Sequence, residues 1–181
     1  RNERVKTGIP GRFSVYNSLA AICVAQKFGI PSEVIKQALE EVRVPGRSEL
    51  VDNKLELTIM IDYAHSPESL QNILQATKSY TRGRVISVFG CGGDRDSGKR
   101  PIMGEISGKI ADYTIITSDN PRTEEPQNIV NQIEDGIKKT KGKYEVILDR
   151  TEAIKAAIKM ANKRDIIILA GKGHEPYQEI N

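Results

Sequence analysis

The stretch that decides the fold is VISVFGCGGDRDSGKRP, residues 85–101. Its first five residues carry no charge and are mostly β-branched or aromatic, which predicts a strand buried on both faces. Gly90, Gly92 and Gly93 then predict a tight turn, and Pro101 predicts the first turn of a helix. The stretch therefore predicts a strand–turn–helix unit, from which parallel sheets are built.

Segments of the same kind recur on both sides of this unit. Strand-like runs alternate with amphipathic helical runs, so the pattern favours parallel strands that are joined by helices. We predict an α/β, Rossmann-like fold, with a mostly parallel sheet and helices on both faces. The other predicted strands are LELTIMIDY, DYTIITSD, YEVILD and DIIILAG, at residues 55–63, 112–119, 144–149 and 165–171.

A short helical segment is predicted to precede the sheet. Ser14 can cap a first helix, and Pro31 stands immediately before a second one. Pro45 and Gly46 lie within RVPGRSEL, residues 43–50, and predict a turn or linker. The boundary between the helical segment and the sheet domain is therefore predicted near residue 45.

The composition excludes several classes of protein. The net charge of +3 comes from 27 basic and 24 acidic residues without a basic block, so nucleic acid is not an expected partner. Cys23 and Cys91 form neither a metal-binding spacing nor a disulfide framework, which predicts no metal site and favours a reducing cytoplasm. The apolar runs are too short to cross a membrane. Because the chain begins at Arg1, we expect a fragment of a larger protein.

Polar residues, glycine and proline follow most of the predicted strands directly. In an open parallel sheet the ligand binds beyond the carboxyl ends of the strands, so these segments should form one binding edge. They are residues 62–67, 90–100, 118–126, 148–152 and 170–175.

The glycine-rich segment after residue 89 imitates a phosphate-binding loop. Residues 93–99 fit the first seven places of G-x-x-x-x-G-K-[ST], but Arg100 stands where a hydroxyl would bind Mg²⁺. Pro101 also predicts that the helix starts after the lysine, so we do not predict a nucleotide loop here. Arg95 is instead suited to a carboxylate; the alternative is a surface ion-pair cluster of Arg95 with Asp94 and Asp96.

Two further segments offer groups for a zwitterion. In SDNPRTEEP, residues 118–126, Asp119 and Asn120 could bind an ammonium group and Arg122 a carboxylate, with Pro121 fixing the backbone between them. The alternative, compatible with the first, is that residues 123–126 cap the next helix.

In AGKGHEPYQ, residues 170–178, Gly171 and Gly173 would let the backbone approach a ligand, and Glu175 could hold an ammonium group. At the first strand, Asp62 and His65 could face a nucleotide or a metal-bound phosphate. The alternative is that both side chains satisfy the loop's own backbone, as Asx turns do.

Six motifs in this order resemble the Mur ligase family. They are GRFSVYNSLAA, VPGRSE, DYAHSP, FGCGGDRDSGKRPIMG, SDNPRTEEP and AGKGHEPYQ. The resemblance implies ATP-dependent amide formation through an acyl phosphate. It also implies that residues 1–44 end a central ATPase domain and that residues 45–181 form most of a Rossmann-like carboxyl-terminal domain. The phosphate-binding loop and the Mg²⁺ ligands would then lie before Arg1.

The same resemblance assigns roles residue by residue. Asn17, Arg47 and Asp62 match positions that contact ATP. His65 is a catalytic candidate without a defined role. The match to members that add meso-diaminopimelate to UDP-MurNAc-L-Ala-D-Glu gives the candidate substrate-binding residues Arg95, Asp119, Asn120, Pro121, Arg122, Gly171 and Glu175.

The resemblance leaves the amino acid open between two diamino acids. A buried Arg95 and Arg122 facing the distal carboxylate of diaminopimelate would be left unpaired by lysine, so we expect lysine to be rejected. The alternatives are a lysine-adding ligase, an enzyme like folylpolyglutamate or cyanophycin synthetase, or a non-catalytic ligand-binding module. We expect a monomer that binds no membrane.

Overall fold

The computed structural model describes residues 3–9 and 11–180, and this part of the chain contains six helices and six strands. The helices are α1 (Arg12–Lys27), α2 (Ser32–Glu41), α3 (Pro67–Tyr80), α4 (Lys99–Ile110), α5 (Pro126–Ile137) and α6 (Arg150–Met160). The strands are β1 (Glu49–Leu50), β2 (Thr58–Asp62), β3 (Val85–Phe89), β4 (Tyr113–Ile116), β5 (Tyr144–Val146) and β6 (Ile166–Ala170).

All six strands form one sheet in the order β1-β2-β6-β3-β4-β5. The five longer strands pair in parallel, and β1 pairs antiparallel with β2. The predicted Rossmann-like, mostly parallel sheet is therefore confirmed. Strand β1 was not predicted, because its two residues lie inside the segment that the sequence marks as a turn.

Strand β3 shows how helices cover both faces of the sheet. Val85 and Phe89 pack into one cluster with the apolar side chains of α3, α4 and α5, whereas Ile86 and Val88 pack into a second cluster with α6. Successive side chains of a strand point to opposite faces, so a strand buried on both faces must be apolar throughout.

The chain order brings the candidate loops together. From β2 the chain proceeds to β3, β4 and β5, and then returns so that β6 lies between β2 and β3. Because these strands are parallel, the loops after β2, β6, β3 and β4 lie side by side at one edge of the sheet. We call this edge the binding edge, and define it by residues 62–66, 171–175, 90–98 and 117–125.

Two predicted helix starts are wrong. Helix α1 begins at Arg12 rather than after Ser14, because Gly11, with a φ of 106°, supplies the non-helical residue before it. Helix α4 begins at Lys99, two residues before Pro101, so the lysine belongs to the helix as it does in a phosphate-binding loop.

The cap of α5 lies within the predicted residues 123–126, but no side chain supplies it. Its capping residue is Glu125, whose side chain makes no capping hydrogen bond, and Glu124 turns away to bind Arg100. No helix in the described ranges combines the length and apolar character that a membrane span needs.

Candidate functional site

The loop after β4 supplies one acid, one amide and one guanidinium to the binding edge. Asp119 and Asn120 are buried, and Pro121 lies buried beside them. Arg122 is half-buried and has a φ of 52°, in the left-handed region that non-glycine residues seldom adopt. Its Nε pairs with Glu179 at 2.7 Å. Arg122 therefore holds a carboxylate already, one supplied by this chain.

Lys172 lies at the centre of this group and was not predicted. Its buried ammonium donates to Asn120 Oδ1 at 2.7 Å and to Glu175 Oε2 at 3.3 Å, and lies 4.0 Å from Asp119 Oδ1. These are the acceptors that the sequence assigned to a substrate ammonium group. Its position between Gly171 and Gly173, at the end of a buried strand, was the available signal.

Arg150 is the second cation that sequence reasoning missed. It donates to the carbonyl of Ala170 at 3.0 Å and to that of Ser118 at 3.4 Å, which ties the ends of β6 and β4 together. Burial lowers the pKa of Arg150, while the nearby carboxylates of Asp119 and Glu175 raise it. The two acids of the site thus face two internal cations.

Gly171 is required at its position for two reasons. Its φ is 106°, a conformation that side chains disfavour, and a Cβ there would lie 2.7 Å from Asp119 Oδ2. Its amide donates to the carbonyl of Asp62 at 3.1 Å. Gly171 thereby joins the loop after β6 to the loop after β2.

Arg95 differs from its prediction. It is exposed rather than buried, and in the part of the chain that the structure describes its guanidinium donates only to the carbonyl of Asp94, at 3.2 Å. The predicted surface cluster with Asp94 and Asp96 is also wrong, because these carboxylates accept hydrogen bonds from Thr123 and from the amide of Gly98. The guanidinium of Arg95 therefore has no ion pair within the described ranges.

Arg100 is the residue that breaks the phosphate-loop pattern, and it turns into the protein. It is fully buried and forms a bidentate ion pair with Glu124, at 2.8 and 2.9 Å. The hydrogen bonds that Arg100 donates to Glu124 raise the pKa of Arg100, and the same bonds lower the pKa of Glu124. No local pattern indicates this partner, which lies 24 positions away.

Asp62 serves the backbone around it, as the alternative interpretation predicted. Its carboxylate accepts from the amides of Ser48 and Ala64, each at 2.8 Å. His65 is exposed, and its Nδ1 lies 2.9 Å from the carbonyl of Tyr63. The imidazole therefore faces solvent rather than the acids of the binding edge.

The structure brings Asn17, Arg47 and Asp62 together at a cavity of about 600 Å³. The guanidinium of Arg47 stacks on the ring of Tyr63, 4.4 Å from its centroid. The amide side chain of Asn17 has no hydrogen-bond partner among residues 3–9 and 11–180. The apolar part of the lining consists of Ile9, Phe13, Ala21, Leu39, Val42, Val44 and Ile73.

The described residues offer no cluster of three or more His, Cys, Asp or Glu side chains that could hold a metal ion. The candidate site has two parts: the charged group of Asp119, Lys172 and Glu175, and the cavity beside Asp62. The hydrogen bond from Gly171 to Asp62 connects them.

Curated relatives share this sequence over nearly its full length. The chain is 56% identical to the UDP-N-acetylmuramoyl-L-alanyl-D-glutamate–2,6-diaminopimelate ligase of Caldanaerobacter subterraneus subsp. tengcongensis, over 99% of this chain and 37% of that protein. It is 53% identical to the ligase of the same name from Alkaliphilus metalliredigens, over 98% of this chain and 36% of that protein.

A solved structure of a ligase with the same name also matches this chain. A structure of a UDP-N-acetylmuramoyl-L-alanyl-D-glutamate–2,6-diaminopimelate ligase matches with a TM-score of 0.72 and 39% identity, over 98% of this chain and 36% of that one. The chain thus spans little more than a third of the length of these relatives. The family model of the Mur ligase glutamate ligase domain matches residues 46–173. The chain therefore belongs to the Mur ligase family.

Proposed function

We propose that this chain is the carboxyl-terminal part of an ATP-dependent amide ligase that adds meso-diaminopimelate to UDP-MurNAc-L-Ala-D-Glu in peptidoglycan synthesis. Support comes from relatives that are 53–56% identical over nearly the whole chain and carry the name of this ligase. Residues 1–44 would end the preceding ATPase domain, and residues 45–181 would form the amino-acid-binding domain of a monomeric enzyme.

The observation that carries the proposal is the charged group at the binding edge. Asp119, Asn120 and Glu175 carry acceptors, which lie around Lys172 in this structure, and Arg122 carries donors, one of which pairs with Glu179, on loops that the fold holds side by side. An amino-acid head carries one ammonium and one carboxylate, which this set complements. Diaminopimelate has two such heads. One would bind here, which leaves the amine of the other for amide formation.

The site should also bind diaminopimelate more tightly than lysine. The end of lysine that would enter this site carries no carboxylate, so the donors of Arg122 would gain no substrate partner. Losing one charge-assisted contact between the substrate and the protein weakens binding by about 1–3 kcal/mol, or about five- to 150-fold. We expect discrimination of that size.

The cavity beside Asp62 suits the base and sugar of ATP. Its apolar walls would accept a flat purine, and Asn17 offers an amide whose hydrogen bonds are not used elsewhere among the described residues. Arg47 and Asp62 would contact the rest of the nucleotide. ATP would supply the phosphoryl group that activates the carboxylate of the UDP-MurNAc dipeptide, and the Mg²⁺ ligands would lie in the length that this chain does not span.

The test uses the full-length ligase that carries this chain. Turnover would be measured with meso-diaminopimelate and with lysine for the wild type, for Arg122→Ala and for the control Arg82→Ala. Arg82 is exposed and makes no ion pair or hydrogen bond in the described part of the chain. We expect Arg122→Ala to lower kcat/KM for diaminopimelate about a hundredfold. Near-native activity of Arg122→Ala would contradict the assignment of Arg122, and a wild type that prefers lysine would contradict the substrate.

A further inference from the structure

Arg100 is a buried charge that the proposed function does not use. It is fully inaccessible to solvent, and its guanidinium donates to Glu124, to Gln132 Oε1 at 3.1 Å and to the carbonyl of Gly92 at 3.2 Å. Its Nε has no hydrogen-bond partner among residues 3–9 and 11–180. The buried guanidinium is thus held by four hydrogen bonds but is not fully satisfied.

Stability alone does not account for a charge at this place. Removing a guanidinium from water carries a large desolvation penalty, and apolar side chains of similar volume often stabilise a core as well or better. Arg100 lies on α4 beside α5, where Met103 and Ile133 already form an apolar contact layer. The planar guanidinium differs from an apolar side chain in one useful respect, since its fork fixes the orientation of a carboxylate.

The carboxylate so fixed connects two loops of the binding edge. Glu124 Oε1 accepts from the amide of Asp94 at 2.7 Å. The carboxylate of Asp94 in turn accepts from the hydroxyl of Thr123 at 2.7 Å and from its amide at 3.2 Å. These bonds form a closed ring between the loop after β3 and the loop after β4. We call it the Glu124 ring, and define it by Asp94, Arg100, Thr123 and Glu124.

The ring lies beside Arg122 of the proposed substrate site and beside Arg95, which the resemblance assigns to a carboxylate of the substrate. Arg95 directly follows Asp94, and Arg122 directly precedes Thr123. Asp94 and Arg122 both have a φ of 52°, in the left-handed region that is uncommon for non-glycine residues and that the surroundings help to hold. The ring supplies that constraint at Asp94 through hydrogen bonds to both its amide and its carboxylate.

We infer that Arg100 and Glu124 are positioning residues, which hold the loops of Arg95 and Arg122 at the separation that binds the distal carboxylate of the amino-acid substrate. The inference rests on the proposed function. Neither residue needs to touch the substrate. Because the distal head lies away from the reacting amine, loosening the ring should weaken binding and leave the chemical step unchanged.

The test compares three variants of the full-length ligase. Glu124→Gln keeps the shape of the side chain but removes the charge that pairs with Arg100. Glu105→Gln makes the same chemical change in an exposed ion pair on α4 and is the matched control. We expect Glu124→Gln to raise KM for diaminopimelate about tenfold, with kcat and the KM for ATP changed less than about twofold. Glu105→Gln should change none of them.

The third variant, Thr123→Val, opens the ring from its exposed side and leaves the ion pair of Arg100 with Glu124 intact. It should raise the KM for diaminopimelate in the same direction, about threefold. Wild-type KM values for diaminopimelate in folded Glu124→Gln and Thr123→Val would overturn the inference.

Amide hydrogen exchange separates this inference from the proposed function. Glu124→Gln should speed exchange at the amide of Asp94, whatever the substrate of the enzyme. If the wild type does not use diaminopimelate, the proposed function fails, and faster exchange at Asp94 would still support the positioning of the loops. Unchanged exchange at Asp94 in Glu124→Gln would overturn the role of the pair.

Discussion

Lys172 donates a hydrogen bond of 2.7 Å to the side chain of Asn120, a residue 52 positions earlier in the chain. The two residues follow β6 and β4, which lie on either side of β3, so the bond spans the carboxyl end of β3. Gly90 leaves room there, since a Cβ at that residue would lie 2.1 Å from the carbonyl of Thr117. The glycines after β3 are therefore needed by the neighbouring loops as well as by their own turn.

Lys172→Met should destabilise the chain and weaken the amino-acid site. The change leaves Asp119 and Glu175 facing each other with Arg150 as their remaining nearby cation, and we expect a loss of about 2 kcal/mol in the free energy of unfolding. Urea unfolding at neutral pH measures it. Lys155→Met removes an exposed ion pair with Glu152 and is the control, for which no measurable loss is expected. Equal unfolding midpoints for the two variants would contradict the role of Lys172.

Glu179→Gln should strengthen binding of diaminopimelate. Glu179 is exposed and pairs with the guanidinium that we assign to the substrate carboxylate, so a substrate must first displace it. Removing the competing charge should lower KM about threefold, because exposed ion pairs are weak. Glu175→Gln alters the same segment but removes a proposed ammonium acceptor, so its KM should rise. An increase of KM in both variants would show that Glu179 supports the site rather than competing for it.

Gly171→Ala should cost more stability than its conformation alone explains. Gly29 has a φ of 70°, and a Cβ added to it would meet nothing within 4 Å, so Gly29→Ala measures backbone strain by itself, about 1 kcal/mol. Gly171→Ala adds the contact with Asp119 Oδ2, and we expect about 2–3 kcal/mol from the two effects together. Thermal or urea unfolding of both variants checks the difference. Similar losses would mean that the loop after β6 relaxes around the added methyl group.

The strands could be predicted from the sequence because their cause is local. Residues 85–89 are apolar throughout, and burial on both faces of a parallel strand demands that pattern. Strand β1 could not be predicted, since two residues carry no period. The predicted start of α4 was wrong because Pro101 is acceptable within the first turn of a helix, where its missing amide proton is not required.

The site residues could be predicted where a motif placed them, but their partners could not. The segments after β4 and β6 carried enough polar residues to mark them from the sequence. The pairing of Arg100 with Glu124 depends on how α4 and the loop after β4 pack together, which no local pattern reports. The phosphate-loop pattern shows only that Arg100 stands in place of a residue with a hydroxyl group. It gives no information about the carboxylate that Arg100 binds.

The dependence of stability on acidic pH should test the Glu124 ring. The hydrogen bonds from Arg100 and from the amide of Asp94 lower the pKa of Glu124 from its ordinary value of 4.5. The ionised form is therefore preferred in the folded state. Its contribution to stability is complete above the ordinary pKa and is lost as the pH falls through the lowered one.

We expect the wild type to lose more stability than Glu124→Gln as the pH falls below the ordinary pKa of 4.5, so that the free energies of unfolding of the two proteins converge in acid. Other carboxylates titrate in the same range, so the measured quantity is the difference between wild type and variant at each pH. Glu68→Gln alters an exposed carboxylate that forms no ion pair among the described residues, and it is measured alongside as the control. If the difference in the free energy of unfolding between wild type and Glu124→Gln changes with pH no more than that of the control, the ion pair adds nothing to folding.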